Sequence, residues 1–256
     1  MKAGKGFLTV ACNNYLPFAF KLAESIKATQ RDSNISVIVD DLDQIENKHQ
    51  DIFDNIIQVA KNENKFWAET QVCALTPYKQ TIKIEADMIV PQSIDHWWSI
   101  LDQKNVVLTN HVKTYWYTTV TDRSQRRLFD DNNLPDVYSG VYYFRYSKES
   151  YNFFQIVNQI FDNWEWFKNN LKNCRYEQPV TDEVFAIAAQ IYGVENCTIN
   201  NEIPTFVHMK NKLQDIPSDD NWYRYVAYEK SQQAIGMYKQ QYPIHYWDKA
   251  FWNDND

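Results

Sequence analysis

Glycine is scarce in this sequence, with five residues in a chain of 256. The chain contains neither G-x-G-x-x-G nor G-x-x-x-x-G-K-[ST], the loops whose backbone amides hold the phosphates of dinucleotides and nucleoside triphosphates. A G-x-S-x-G segment, which carries the nucleophile of many serine hydrolases, is also absent. The sequence therefore disfavours dinucleotide-binding, P-loop and serine hydrolase functions.

The sequence also has few cysteines and lacks long apolar runs. The four cysteines, Cys12, Cys73, Cys174 and Cys197, form no C-x-x-C pair and predict neither a disulfide framework nor a zinc site. No run approaches the roughly 18 apolar residues of a membrane span. The N-terminal segment lacks the apolar stretch and cleavage site of a signal peptide. We therefore expect a protein of the reducing cytoplasm.

Positive charge is in deficit: 26 lysines and arginines stand against 33 aspartates and glutamates, for a net charge of −7. This balance argues against a protein that coats nucleic acid by charge alone. A local basic patch still lies beside a run of aromatic residues. Its members are Lys113, Arg123, Arg126 and Arg127, with Tyr115, Trp116 and Tyr117. Such a segment can hold a phosphate backbone and an extruded base, although a solvated loop has the same composition.

Apolar segments along the chain alternate between strand-like and helix-like patterns. Strands are predicted at residues 6–12, 35–39, 81–84, 105–110, 205–209 and 242–246, with a strand pair at 137–146. Helices are predicted from Pro17 and at residues 66–75, 151–169 and 180–192, and residues 51–59 fit either a helix or a strand. This order predicts an α/β fold with a doubly wound sheet. Ligands in such sheets bind beyond the carboxyl ends of the strands.

Two acidic residues, Glu85 and Asp87, directly follow the predicted strand at residues 81–84. A carboxylate at the end of a buried strand costs free energy unless something neutralises it. A divalent cation would do so, and oxygen ligands suit Mg²⁺ or Mn²⁺. Such an ion can stabilise a departing diphosphate. The same spacing also occurs where two carboxylates simply meet solvent, so both interpretations stay open from the spacing alone.

The segment TPYKQTIKIEADMIVP resembles the strand that enters the aspartate-x-aspartate motif of GT-A glycosyltransferases, and in particular the family 8 type. The resemblance implies a Rossmann-like mixed sheet flanked by helices, in a single domain with a C-terminal extension. It implies a nucleotide-binding half at residues 1–110, and a half for the acceptor, metal and phosphates at residues 111–256. It also implies Mn²⁺ or Mg²⁺ held by Asp87 and Glu85, although the family usually has aspartate where Glu85 stands.

Other segments resemble the same family in the same order. FLTVAC, followed by Asn13, Asn14 and Tyr15, resembles the nucleotide loop, in which the tyrosine would stack on the base and an asparagine would bond to it. Asp40 or Asp41, at the end of the second predicted strand, would lie at the other edge of that pocket. Lys65 resembles the basic residue that approaches the phosphates or sugar of the donor. The implied donor is a nucleotide-diphosphate sugar, with uridine diphosphate as the nucleotide.

Two later segments resemble parts of the family that adjoin the reacting sugar. YSGVYYF resembles the strand beside the donor sugar and the acceptor, and it contains Ser139. TDEVF resembles the start of a helix near the reacting sugar, and it contains Asp182 and Glu183. A carboxylate at that position is also a common helix cap. Retention of the anomeric configuration requires no strong base, whereas inversion would make Asp182 or Glu183 the base.

The family has a third metal ligand, a histidine near the C-terminus. PIHYWDK resembles that motif in part and contains His245 and Lys249. We prefer His245 as the ligand because it is the last histidine of the chain and precedes Lys249, which would neutralise the departing diphosphate. His208 is the alternative, and either histidine could also be purely structural.

Three hypotheses for the function stay open: two that differ in the acceptor, and one without sugar transfer. The Asn-, Lys-, Ile- and Tyr-rich composition resembles bacteriophage glycosyltransferases that modify hydroxymethylated bases in DNA, and the basic patch would then bind that DNA. A saccharide or lipopolysaccharide acceptor is the alternative, disfavoured by the acidic and polar ending FWNDND. A non-catalytic nucleotide-sugar binding module is the third, and Glu85 is the residue in its favour. A nucleotidyltransferase is disfavoured because Cys12 and Asn13 stand where its glycine-rich loop would begin.

Overall fold

Strands and helices alternate through the first half of the chain, where short β-branched and aromatic runs are separated by polar turns. The computed structural model describes residues 2–114, 117–209, 225–231, 234–247 and 249. The elements up to residue 109 are β1 (Ala3–Val10), α1 (Leu16–Thr29), β2 (Ile35–Val39), α2 (Asn47–Ile52), β3 (Asn55–Gln58), α3 (Trp67–Thr70), α4 (Val72–Leu75), β4 (Tyr78–Ile84), β5 (Met88–Ile89), α5 (Trp97–Leu101) and β6 (Val106–Thr109). A short 3₁₀ turn, Leu42–Gln44, precedes α2.

The second half contains most of the longer helices and then a group of strands. Its elements are β7 (His111–Lys113), α6 (Arg127–Asp131), β8 (Tyr138–Arg145), α7 (Lys148–Asp162), α8 (Trp164–Asn170), α9 (Thr181–Tyr192), α10 (Val194–Cys197), β9 (Thr205–Met209), β10 (Tyr225–Ser231), β11 (Ala234–Lys239) and β12 (Ile244–Tyr246).

Six strands form the main sheet, in the order β3-β2-β1-β4-β8-β6. Strands β1 to β4 run parallel, whereas β8 is antiparallel to both of its neighbours. The strand order reverses between β1 and β4, which lie side by side although β2 and β3 separate them along the chain. A reversal of this kind leaves a crevice for a ligand beyond the carboxyl ends of the strands. The predicted mixed α/β sheet flanked by helices is confirmed.

Side chains of the main sheet alternate between two apolar cores, because successive residues of a strand face opposite sides. Phe7 and Ile82 belong to a core that contains α1 and α5. Leu8 and Tyr142 belong to the other core, which contains α7 and α9. Helices therefore cover both faces of the sheet, and the ends of the strands are left for the site.

A second sheet contains four short strands, in the order β5-β12-β9-β7. Strand β12 is antiparallel to β5, with His245 opposite Met88. It is parallel to β9, with His245 opposite His208. Since β5 comes shortly after the end of β4, this sheet carries the C-terminal strand back to Glu85 and Asp87. Strands β10 and β11 pair with each other.

Several predicted elements differ in detail from the structure. The helix predicted at residues 151–169 consists of α7 and α8, which are separated at Asn163. The helix predicted at 66–75 consists of α3 and α4, and residues 137–146 contain one strand instead of a pair. Residues 51–59 contain the end of α2 and all of β3. Apolar side chains on both sides of each helix break remain in one core, so hydrophobic periodicity does not reveal the break.

The cysteines agree with the sequence prediction. All four are free thiols, and Cys12, Cys73 and Cys197 are buried. In the part of the chain that the structure describes, no helix is long and apolar enough to cross a membrane.

Candidate active site

Two adjoining cavities lie beyond the carboxyl ends of β1 and β4, at the reversal of strand order. The first has a volume of about 240 Å³. It is lined by Val10, Cys12, Asn13, Tyr15, Lys65, Phe66, Glu69, Glu85, Ala86, Asp87, Thr181 and His245. The second has a volume of about 540 Å³, shares the side chains around Glu85 and Asp87, and extends to β8, α9 and the C-terminal segment.

Glu85, Asp87 and His245 meet where the two cavities join. The Nε2 atom of His245 lies 3.3 Å from Oδ2 of Asp87 and 3.7 Å from Oε2 of Glu85. Lys249 donates hydrogen bonds from Nζ to the same Asp87 Oδ2 and, at 2.8 Å, to the carbonyl of Tyr246. Two basic side chains of the C-terminal segment thus converge on two carboxylates from the loop after β4.

Backbone pairing holds these side chains together. The amide of Tyr246 donates to the carbonyl of Asp87 at 3.3 Å, and the amide of Glu85 donates to the carbonyl of Gly140 at 2.9 Å. A Cβ atom on Gly140 would lie 2.7 Å from the terminal methyl of Met88 and 3.1 Å from Oε2 of Glu85. Glycine at this position therefore leaves room for the Glu85 carboxylate.

The charges of the cluster change each other's protonation. Burial acts to raise the pKa of Asp87, but His245 and Lys249 outweigh it and hold that pKa below its usual value. Burial acts to lower the pKa of His245, but the charge of Asp87 and its hydrogen bond outweigh it and raise that pKa. Burial raises the pKa of Glu85 above its ordinary value despite the nearby His245. Glu85 is therefore the carboxyl whose negative charge is least compensated.

The cluster fits a divalent cation. One ligand atom each from Glu85, Asp87 and His245 lies within 4.8 Å of the others. Separations of 3.3 and 3.7 Å from the imidazole nitrogen suit atoms that share one ion at bond lengths of roughly 2.0–2.2 Å. Carboxylate oxygens suit Mg²⁺ and Mn²⁺, and the poorly compensated charge of Glu85 would be stabilised by either ion.

The predicted nucleotide residues form the turn between β1 and α1. Asn13 and Asn14 have left-handed backbone angles, with φ of 55° and 69°, which asparagine tolerates better than most residues. The amide of Asn13 donates to Oδ1 of Asp40 at 3.4 Å. Asn13 and Tyr15 line the first cavity, and the exposed Lys65 lines both cavities. Asn14 and Asp40 lie outside the two cavities.

Asp182 lies in the first turn of α9 and accepts three hydrogen bonds. Its Oδ1 accepts from the amide and the hydroxyl of Ser139, both at 2.8 Å, and its Oδ2 accepts from Arg126 at 2.9 Å. The helix cap is Val180, and no side chain makes a cap hydrogen bond there. Asp182 is therefore an oriented, charge-compensated carboxylate of the second cavity, and not the helix cap that the sequence also allowed.

Glu183, the next residue, has a different environment. It is 4% exposed and lines the second cavity, and its Oε2 has no hydrogen-bond partner among the described residues. Burial, together with the charge of Asp182, raises its pKa to about 7. Two consecutive carboxyl groups therefore have different environments: Asp182 has donors on both oxygens, whereas burial gives Glu183 a pKa of about 7.

His208 lies outside the acidic cluster but stacks on it. Its ring is nearly parallel to that of His245, with an angle of 15° and centroids 5.0 Å apart. Its Nε2 accepts a hydrogen bond of 2.8 Å from the indole nitrogen of Trp247. Of the two candidate histidines, His245 is the one that contacts the carboxylates, and His208 supports it from the side.

Arg126, predicted to lie in an open basic patch, is instead buried. Its guanidinium lies between the rings of Phe129 and Tyr138, at 3.6 and 4.1 Å from their centroids. Besides Asp182, it donates to Asp136 at 2.8 Å and to the carbonyl of Val137 at 2.6 Å. The expectation that it contacts a phosphate backbone is wrong, because each side of the guanidinium already has a partner.

The remaining cations of the patch do not form a continuous surface for phosphates. Lys113 and Arg123 are both paired with carboxylates, Lys113 with Glu202 and Arg123 with Asp130 and Asp136. Arg127 is exposed at the start of α6. Tyr115 and Trp116 lie outside the described residues.

The sequence analysis did not single out the ion pair of Lys83 and Glu69. Lys83 is fully buried in β4, and its Nζ lies 2.7 Å from Oε2 of Glu69, a residue of the first cavity. A lysine inside the apolar run Ile82-Lys83-Ile84 was the available signal. A strand covered on both faces has no solvent side for it, so a buried partner is required.

Comparisons with known proteins find similarity in structure but not in sequence. No protein-family model matches the chain, and no curated protein matches it. The galactosyltransferase LgtC, solved in complex with donor and acceptor sugar analogs, aligns with a TM-score of 0.53 at 12% identity. That alignment covers 96% of this chain and 88% of LgtC.

Two larger glycosyltransferases also align with this chain. The glycosyltransferase GlyE of Streptococcus pneumoniae TIGR4 has a TM-score of 0.50 at 11% identity, over 77% of this chain and 45% of GlyE. The bifunctional glycosyltransferase WbbM has a TM-score of 0.50 at 13% identity, over 82% of this chain and 41% of WbbM. The alignments thus span less than half of GlyE and WbbM but most of LgtC. Together with the mixed sheet, they show that this chain has the fold of the GT-A glycosyltransferases.

Proposed function

We propose that this protein transfers a sugar, a hexose or a pentose, from a nucleotide-diphosphate sugar to an acceptor hydroxyl, with Mn²⁺ or Mg²⁺ as cofactor. The observation that carries the proposal is the meeting of Glu85, Asp87 and His245 at the point where strand order reverses in a GT-A fold. Uridine diphosphate is the proposed nucleotide.

The donor occupies the first cavity in this proposal. Tyr15 offers an aromatic face for the base after the end of β1, and Asn13, which lines the same cavity, would bond to that base. Lys65 lines both cavities and would approach the diphosphate where they join. Asn14 and Asp40, predicted as further nucleotide residues, would act through the turn and through the hydrogen bond to Asn13.

Glu85, Asp87 and His245 would hold the metal ion in this proposal. When bound, the ion would neutralise negative charge on the departing nucleoside diphosphate. Lys249 lies beside the same cluster and has the charge to stabilise that diphosphate directly, once its bond to Asp87 is exchanged for one to a phosphate oxygen.

Asp182, Glu183 and Ser139 lie along the second cavity, where the transferred sugar and the acceptor would meet. Asp182, oriented by Ser139 and Arg126, would position a sugar hydroxyl or stabilise positive charge at the reacting carbon. Glu183 has a pKa of about 7 and an oxygen with no hydrogen-bond partner in the described part of the chain, so it would exchange a proton with the acceptor hydroxyl. Asp182 and Glu183 would fill these roles whether the reaction retains or inverts the anomeric configuration of the sugar.

The acceptor that the second cavity supports best is a saccharide. Five carboxyl groups line it, from Glu85, Asp87, Asp122, Asp182 and Glu183, beside the basic side chains of Lys65, Arg126, His245 and Lys249. Carboxylates accept hydrogen bonds from sugar hydroxyls. The sequence prediction of a hydroxymethylated base in phage DNA has less support, because Arg126 is buried and Lys113 and Arg123 are paired.

Thermal unfolding with UDP, GDP, CDP and their sugars tests the donor, each with Mn²⁺, Mg²⁺ or EDTA. Binding to the folded state raises the melting temperature by mass action. We expect a metal-dependent rise with one nucleotide, lost in Asp87→Ala, and hydrolysis of the matching donor sugar. No rise with any nucleotide would overturn the proposal. A rise without hydrolysis or transfer would instead identify a nucleotide-sugar binding module.

A further inference from the structure

Trp247 is a large, exposed aromatic side chain at the second cavity. It is 55% exposed and lines the second cavity. Trp166, on α8, is exposed to a similar extent, at 62%, but lines neither cavity of the candidate site. An indole left in water costs free energy that burial would recover. Its position at the cavity therefore points to a ligand that covers it.

The indole of Trp247 is held in one orientation. Its ring nitrogen donates to Nε2 of His208 at 2.8 Å, and its backbone amide donates to the carbonyl of Met209 at 3.1 Å. His208 is fixed in turn, because its ring stacks on that of His245, which lies 3.3 Å from Asp87. A ring anchored at both its backbone and its nitrogen presents a fixed apolar face, so little conformational entropy is lost when a ligand stacks on it.

The chemistry around this face suits a neutral, polyhydroxylated ring. A pyranose has one apolar face of C–H groups and a rim of hydroxyls. The second cavity supplies polar groups for such a rim, among them Asp122 and Gln125 on the segment before α6. A nucleobase could also stack on an indole, but it lacks the rim of hydroxyls that Asp122 and Gln125 would bind.

We propose that Trp247, oriented by His208, is the platform on which a pyranose ring of the acceptor stacks. This inference rests on the proposed function, since it places the acceptor beside the donor cavity. The path Trp247–His208–His245 also links acceptor binding to a proposed metal ligand. His208 is a positioning residue here: it contacts the indole and not the sugar.

Saturation-transfer NMR tests the platform, with methyl β-D-glucopyranoside, methyl β-D-galactopyranoside and lactose as probes, in the presence of UDP and Mg²⁺. We expect at least one glycoside to receive saturation in the wild type and in Trp166→Ala, the matched exposed tryptophan. In Trp247→Ala its binding should weaken roughly tenfold. Trp247→Phe keeps an aromatic face and should lose less, as should His208→Phe, which keeps an aromatic ring at position 208 but removes the acceptor of the indole N–H bond.

Melting temperatures with and without UDP and Mg²⁺, measured on the same samples, report on the donor site and on folding separately. Glycoside signals that are equal in Trp247→Ala and the wild type, or absent from the wild type, would overturn the role of Trp247 as a platform. The rise in melting temperature with UDP and Mg²⁺ would be unaffected in that case. Signals from a single-stranded oligonucleotide containing 5-hydroxymethylcytosine, and from none of the glycosides, would overturn the saccharide as its occupant. If neither UDP, GDP nor CDP raises the melting temperature while glycoside binding still depends on Trp247, the proposed function is overturned and the platform is kept.

Discussion

Lys249 donates a hydrogen bond to Oδ2 of Asp87, the same oxygen that lies 3.3 Å from Nε2 of His245. One carboxylate oxygen is thus shared by an ammonium group and an imidazole. A metal ion that used this oxygen would meet the positive charge of Lys249 at close range, and the two would compete for it. Metal affinity and turnover should therefore change in opposite directions when Lys249 is replaced.

Replacement of Lys249 by methionine should strengthen Mn²⁺ binding and weaken turnover. Removal of the ammonium group leaves Asp87 available to the ion, so we expect affinity to rise by up to about tenfold. Turnover should fall by at least about tenfold, because the departing diphosphate loses a counter-charge. Calorimetry measures the first effect and steady-state kinetics the second. Lys61→Met is the control, since Lys61 pairs with Asp41 at an exposed site. Unchanged turnover in Lys249→Met would contradict the role given to Lys249.

His245 and His208 can be separated by metal affinity. His245→Ala removes an imidazole nitrogen within 3.7 Å of both carboxylates and should lower Mn²⁺ affinity at least about tenfold. His208→Ala removes the ring that stacks on His245 and the acceptor of the Trp247 hydrogen bond, but no atom of the metal cluster, and we expect a change of no more than about threefold. Titration of Mn²⁺ by electron paramagnetic resonance measures both. Equal losses in the two variants would show that His208 is also a ligand.

Local patterns predicted the carboxylates better than they predicted the cations. Glu85 and Asp87 stand at the end of an apolar strand, so their position at the sheet edge follows from a few adjacent residues. The role of Arg126 depends on Asp182 and Tyr138, which reach it only through tertiary packing. Sequence reports that a residue is charged, but not whether it is buried. For that reason Arg126 was assigned to an open patch, and Lys83 was overlooked.

Arg126 and Arg127 form a matched pair of neighbours, one buried and one exposed. Arg126→Met leaves Asp182 and Asp136 without their shared cation and should lower the free energy of unfolding by about 3–5 kcal/mol. Arg127→Met should change it by less than about 0.5 kcal/mol. Urea unfolding followed by tryptophan fluorescence provides both values. Arg126→Lys keeps the charge without the fork, so it should lower kcat more than it raises the KM of the donor. Similar destabilisation by both methionine variants would contradict the buried network.

The ion pair of Lys83 and Glu69 supports the floor of the first cavity. Lys83→Met leaves a carboxylate whose side chain is 13% exposed without its counter-charge, and should destabilise the protein by about 3–5 kcal/mol. The double variant Lys83→Met, Glu69→Leu replaces both charges with apolar groups and should recover most of that loss. Urea unfolding of the four proteins forms a double-mutant cycle. Additive losses would show that the two residues do not act as a pair.

Glu183 should make stability depend on pH between about 4.5 and 7. Its pKa rises from an ordinary 4.5 to about 7 in the folded protein, so the folded state keeps a proton that the unfolded state has lost. Stability from this group is fully present below pH 4.5 and is lost as pH rises through 7. The loss amounts to at most about 3 kcal/mol. Glu183→Gln cannot titrate, so its stability relative to the wild type should increase by that amount between pH 4.5 and 8.

Urea unfolding at pH 4.5, 6 and 8 measures this difference, with Glu177→Gln as the control at a side chain that is 83% exposed. A constant difference between Glu183→Gln and the wild type at all three values would contradict the raised pKa. The same group should appear in catalysis if it exchanges a proton with the acceptor hydroxyl. Glu183→Gln would then remove the ionisation near pH 7 from the pH profile of kcat, whereas a purely structural Glu183 would leave that profile unchanged.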